Sequence, residues 1–114
     1  MENKMSLHNI RCVACEGGIP PLSKEEAKKF LNEVKDWRMD ESHAWITRRF
    51  SFKNFYHTMA FVNAVAWIAN QENHHPDLEV GYNYCVIKYQ THAVSGLTKN
   101  DFICAAKINL LENP

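Results

Sequence analysis

The sequence predicts an α+β fold: three helices and a four-stranded, mainly antiparallel sheet, in the order α-β-β-α-β-β-α, with the helices packed on one face. Three observations predict it. Apolar residues recur at helical spacing in stretches that open near Ser23, Phe55 and Thr98. The stretches 45–52 and 84–91 alternate apolar and polar residues, as half-buried strands do. The strands come in pairs between helices, without the strand–helix alternation of a parallel sheet.

Residues 1–21 read as a flexible N-terminal arm, because Gly17, Gly18, Pro20 and Pro21 crowd together there. Residues 22–114 read as a single domain. Its first helix opens at Ser23, which has Glu26 at capping-box spacing. Ala27, Phe30, Leu31 and Val34 make that helix's apolar stripe. A short strand at 37–39 and a turn at Asp40-Glu41-Ser42 follow. In the next strand Ile46, Phe50 and Phe52 point one way and Thr47, Arg49 and Ser51 the other. The second helix, 55–70, has a main stripe of Phe55, Met59, Val62, Ala66 and Ala69, widened by Phe61, Val65 and Ile68. That stripe has more apolar surface than one sheet face covers, which points to burial at a subunit interface. Pro76 ends this region, because the residue before a proline avoids helical angles. A strand at 78–80, a turn at Gly81-Tyr82-Asn83 and a strong strand at 84–91 come next. Cys85, Ile87, Tyr89 and Thr91 share one face of it; Tyr84, Val86, Lys88, Gln90 and His92 share the other. Thr98 opens the last helix, with Asp101 placed to cap it or to favour its dipole, and Phe102, Ile103, Ala106 and Leu110 as its apolar side.

Composition excludes several function classes. Of 114 residues, 46% are hydrophobic and 23% charged, the balance of a globular domain. Thirteen basic residues offset thirteen acidic ones, so the phosphate backbone of a nucleic acid is not an expected partner. Zero net charge also eases self-association. The longest mostly apolar stretch, 59–69, is too short to span a bilayer, so no membrane partner is expected. The polar first residues read as no secretory signal, and four cysteines without an export signal fit a reducing cytoplasm.

Chemistry concentrates in Glu72-Asn73-His74-His75-Pro76-Asp77 and in Thr91-His92. Histidine exchanges protons near neutral pH, so three of them meeting in a cleft make a proton-transfer site or a metal site. His75 is extended because Pro76 follows, and neighbouring side chains of extended backbone point to opposite sides. Asp77 could orient an imidazole. A metal would need all three histidines and an open fourth position, and no His-Glu-x-x-His signature is present. Cys12 and Cys15 form an isolated CxxC, without the strand before it and helix start after it that a thioredoxin-like site needs.

Taken together, His74-His75-Pro76-Asp77, a tyrosine at 82 or 84, Thr91-His92, Gly96-Leu97-Thr98 and Asp101 resemble the pterin-4a-carbinolamine dehydratases over about residues 23–111. The N-terminal CxxC and Phe102-Ile103-Cys104-Ala105-Ala106-Lys107 are similar to bacterial members that accompany phenylalanine hydroxylase. The resemblance implies removal of water from 4a-hydroxytetrahydrobiopterin to give quinonoid dihydropterin, in tetrahydropterin recycling, with no metal and no organic cofactor. It implies His74, His75 and His92 as the catalytic set: His74 as acid at the hydroxyl, His92 as base, and His75 positioning or sharing the acid role. It implies a pterin bound along His74, His75 and Pro76 and along Thr91, His92, Ala93 and Val94, with Glu72, Asp77 and Asp101 in support. Many relatives carry an acid four positions before the first histidine; here Asn70 stands there, so Glu72 or Asp77 must substitute. The resemblance further implies a homodimer or homotetramer and a functional link to phenylalanine hydroxylase. Two other readings compete: an oligomeric binding or regulatory module, like the transcriptional coactivators of the family, and a His-ligated metal enzyme.

Overall fold

The computed structural model describes residues 6–14 and 20–112. Helix α1 (Lys24–Leu31) begins at a complete capping box: Ser23 Oγ accepts from the Glu26 N–H at 3.2 Å, and Glu26 returns a carboxylate oxygen to the Ser23 N–H at 2.9 Å. Strands β1 (Arg38–Met39) and β2 (Ile46–Ser51) form a hairpin. Helix α2 (Phe55–Glu72) leads to β3 (Asp77–Val80) and β4 (Tyr84–Tyr89), and α3 (Lys99–Asn109) follows. The α-β-β-α-β-β-α order and the four-stranded antiparallel sheet agree with the sequence reading. The sheet order is β1-β2-β4-β3. Strand β4 therefore slots between β2 and β3, which run parallel to each other on either side of it.

Side-chain alternation decides which face is covered. Ile46, Arg48 and Phe50 of β2 and Cys85, Ile87 and Tyr89 of β4 are buried, while Arg49, Ser51 and Lys88 face solvent. Against the buried face lie Ala27, Val34, Phe61, Val65, Phe102, Ile103 and Ile108. An arginine among them needs compensation, because a buried charge must be paired. Arg48 donates to Asn109 Oδ1 at 2.6 Å, and its other terminal nitrogen lies 3.4 Å from Asp36. The same Asn109 accepts from Trp37 Nε1 at 2.8 Å and donates to the Lys35 carbonyl at 3.1 Å. The C-terminal end of α3 is thus fastened to the α1–β2 region.

Helix α2 is rotated from the reading its periodicity suggested. Its buried line is Thr58, Phe61, Val65, Ile68, Ala69 and Glu72, whereas Phe55, Tyr56 and Trp67 are exposed. Two polar residues turn inward because they have partners there. The Thr58 hydroxyl donates to the Asn54 and Tyr82 carbonyls, and Glu72 holds the N-terminal segment. Among the described residues, no helix is long and apolar enough to cross a membrane.

The segment 6–14 lies along α2 and α3. Leu7 is buried, Cys12 N–H donates to Glu72 Oε1 at 2.7 Å, and Lys107 Nζ donates to the His8 carbonyl at 2.9 Å. The Asn100 amide accepts from Val13 N–H and donates to Val13 C=O. Cys15, Gly17 and Gly18 fall outside the described residues. Further on, Leu22 N–H donates to the Leu97 carbonyl at 2.8 Å, and Pro21 seats directly on Gly96. A β-carbon added at Gly96 would stand 2.6 Å from that of Pro21. Gly96→Ala is therefore expected to lower the unfolding free energy by about 1–3 kcal/mol, the usual cost of overpacking. Urea denaturation checks this, and an unchanged midpoint would mean that Pro21 yields freely.

Candidate active site

Register brings the chemistry to one end of the sheet. Tyr89, the last residue of β4, is opposite Ile46, the first of β2, and Lys88 is opposite Asp77, the first of β3. The residues before β3, after β4 and before β2 therefore converge. They are His74-His75-Pro76, Thr91-His92 and Trp45, joined there by the N-terminus of α3.

Local structure sets His74. Asn73 takes left-handed angles (φ 51°), which asparagine tolerates better than most residues. The His74 N–H then closes back on the Ala69 carbonyl at 3.1 Å, a Schellman-type end that swings the imidazole under β4. Its ring stacks on Tyr89, centroids 5.2 Å apart and planes 13° apart, and the Tyr89 hydroxyl donates to the His74 carbonyl at 3.2 Å. His74 Nε2 lies 2.6 Å from Asp101 Oδ1. The other carboxylate oxygen, Oδ2, accepts from Thr91 Oγ1 at 2.8 Å and from the Thr98 N–H at 3.0 Å. Thr91 and Thr98 hydroxyls are themselves 2.8 Å apart. Asp101 is completely buried and His74 almost so. Burial alone would push the imidazolium toward losing its proton. The hydrogen bond and negative charge of Asp101 outweigh that, and the His74 pKa rises above the ordinary 6.5.

The loop after β4 is closed by a two-way bridge, Thr91 N–H to Gly96 C=O at 2.8 Å and Gly96 N–H to Thr91 C=O at 3.4 Å. Within it His92, Ala93 and Val94 make a 3-10 turn, with His92 and Ala93 exposed. His92 meets the Trp45 ring edge-on at 5.8 Å. His75 is exposed beside Pro76.

The predicted supporting acids separate. Asp101 joins His74 and Thr91 into one hydrogen-bonded unit. Glu72 does not reach His74: it holds Cys12 N–H, Arg11 at 3.1 Å and Lys107 at 3.8 Å. Those partners outweigh burial and keep its carboxyl below the usual carboxylate range. Asp77 is exposed on edge strand β3, opposite Lys88. The carboxylate that meets His74 is that of Asp101, 27 positions after it. Tyr89 and Trp45 were not placed at the site from sequence, and Thr98 reads there as a helix opener and as part of the Gly96-Leu97-Thr98 motif. Tyr89 left a clue, since a tyrosine on an inward strand face needs a partner for its hydroxyl. A concavity of about 610 Å³ elsewhere, lined by Trp37, Arg38, Arg48 and Arg49, contains none of the three histidines.

An α+β sheet with a hydrogen-bonded histidine–carboxylate unit at one end is the class of protein this geometry defines. The family described as Pterin 4 alpha carbinolamine dehydratase matches residues 20–111. A relative of that name from Nitrosomonas eutropha is 54% identical over 112 residues, 97% of each chain. Another, from Legionella pneumophila (strain Corby), is 58% identical over 106 residues, covering 92% of this chain and 94% of its own. The crystal structure of a transcriptional coactivator/pterin dehydratase from Brucella melitensis superposes with a TM-score of 0.76 at 30% identity, over 80% of this chain and 97% of that one. The chain belongs to the pterin-4a-carbinolamine dehydratase family, a family of hydro-lyases.

The raised His74 pKa has a stability consequence. A group whose pKa is higher folded than unfolded stabilises fully below its unfolded value and loses that contribution as pH climbs through the folded value. The unfolding free energy of wild type relative to His74→Gln is expected to be largest below pH 6.5 and to shrink above it. Urea titrations at several pH values check this; a pH-independent gap would mean that the pair carries no extra proton.

Proposed function

We propose that the protein dehydrates a 4a-hydroxytetrahydropterin to the quinonoid dihydropterin, and that its histidines carry the proton transfers. Family membership supports the pterin substrate. The observation that carries the mechanism is the 2.6 Å His74–Asp101 pair, with Thr91 on the same carboxylate and His92 next in the chain. Water loss has two parts. The C4a–O bond breaks as the hydroxyl takes a proton, and N5 gives up its own proton as the C4a=N5 bond forms. His74 suits the first part, because Asp101 keeps it protonated toward neutral pH. With Nε2–H committed to Asp101, Nδ1–H of the imidazolium is the proton to be donated. His92, exposed on the closed loop, takes the proton from N5. His75 positions the pterin ring, with Pro76, Ala93 and Val94 bordering it. Each transfer is worth about 100- to 10,000-fold. The product would pass to a reductase, recycling the pterin spent in aromatic amino-acid hydroxylation, phenylalanine hydroxylase being the expected source, in the cytoplasm.

The exposed Phe55, Tyr56 and Trp67 of α2 favour self-association into a dimer or tetramer. The same face supports a second reading, a regulatory binding module, in which catalysis is dispensable.

Dehydration of chemically generated 4a-hydroxytetrahydropterin, followed by ultraviolet absorbance, separates the readings. Wild type should accelerate it, and His74→Ala and His92→Ala should each lose about 100- to 10,000-fold in kcat. Folded wild type giving only the uncatalysed rate would leave the binding module as the reading. The alkaline limb of the kcat profile should also move to lower pH in Asp101→Asn, because the imidazolium loses its neighbouring charge. An unmoved limb would remove His74 as the acid.

A further inference from the structure

Outside the histidine site, two thiols from distant parts of the chain meet behind it. Cys12 lies in the segment laid over α3, and Cys104 lies in the middle of α3. Their Sγ atoms are 3.6 Å apart, in van der Waals contact, across 92 positions of sequence. Both sides are held in place. Cys12 N–H is bonded to Glu72, and Val13 is bonded in both directions to Asn100, one turn before Cys104. Cys104 is fully buried, whereas Cys12 is partly exposed and so can meet a solvent-borne oxidant. The remaining described thiol, Cys85, is buried on β4.

We propose that Cys12 and Cys104 form a redox dithiol that a hydroperoxide converts to a disulfide, clamping the N-terminal segment onto α3. With hydrogen peroxide the steps balance. The Cys12 sulfur attacks one peroxide oxygen and the O–O bond breaks. Cys12 becomes a sulfenic acid, and the departing hydroxide takes the thiol's proton to leave as water. The Cys104 sulfur then attacks the Cys12 sulfur. The S–S bond forms, the S–O bond breaks, and the hydroxyl leaves with the Cys104 proton as a second water. Two thiols lose two electrons, and one peroxide is reduced to two waters.

The geometry favours the second step over further oxidation of Cys12, because the resolving sulfur is already in contact. A disulfide needs the sulfurs at about 2.0 Å. Residues 11–14 have no regular structure, so they can supply the approach without moving a helix. The contact between the sulfurs holds Cys104 below the usual thiol range against its burial and pushes Cys12 up, so Cys12 gives up its proton only as its sulfur attacks the peroxide. The pair also touches the histidine site. Cys104 stands one turn after Asp101, whose carboxylate holds His74.

The test is peptide mapping of the full chain after hydrogen peroxide, with free thiols alkylated under denaturing conditions and no reductant. The expected result is a Cys12–Cys104 linked peptide that dithiothreitol abolishes, present also in Cys15→Ala and absent in Cys12→Ala. The oxidised protein should unfold at higher urea than the reduced one, since a cross-link closing so long a loop restricts the unfolded chain. Recovery of Cys104 as the alkylated thiol, or of Cys12 linked to Cys15, overturns the proposal. So does loss of the link in Cys15→Ala.

Discussion

The carboxylate of Asp101 is fully buried, so its lone pairs must be met inside the protein or folding bears the cost of stripping water from a charge. Three separate parts of the chain meet it. The imidazole of His74 comes from the end of α2, the hydroxyl of Thr91 from the end of β4, and the Thr98 N–H from the start of α3. One group therefore caps a helix, ties off a strand and tunes a histidine. The arrangement explains why the histidine-bearing end is compact although its histidines arise from two segments. It also means that removal of the acid would disturb the fold as well as His74: the same oxygen that receives Thr91 completes the capping box of α3.

Much of this fold was legible in sequence because it rests on short-range rules. Alternation in β2 and β4 and the Ser23 and Thr98 capping boxes each depend on residues a few positions apart. The face of α2 was not legible in the same way. Hydropathy ranks Phe55 and Met59 above Thr58 and Glu72, yet the polar pair turns inward because Tyr82 and Cys12 offer partners there. Periodicity weighs a residue's aversion to water and is blind to the bond waiting for it in the folded chain.

The site divides along the same line. Three histidines could be marked from their residue type and their positions at element ends. The acid that orients His74 could not be chosen from sequence proximity. Glu72 and Asp77 lie within three residues of it, but a helix end and a strand start point their side chains elsewhere. Asp101 looked like a helix cap and is one; its second oxygen does the other work. The segment 6–14 was read from its glycine- and proline-rich surroundings as a loose arm. What holds it is the polar side chains of Glu72, Asn100 and Lys107, which lie 60 to 99 positions away.

Asn109 gives helix α3 a second anchorage at the end remote from the histidines, where one amide serves Trp37, Arg48 and the Lys35 carbonyl. An eleven-residue helix is about 16 Å long. With both termini tied to the sheet through directional bonds, α3 behaves as a strut between two rivets. It cannot slide along its axis or turn about it without breaking one set. The spacing between Asp101 and His74 is then a property of the whole helix and its far end. Its tolerance is set as much by the hydrogen-bond geometry at Asn109 as by the side chains that touch the imidazole.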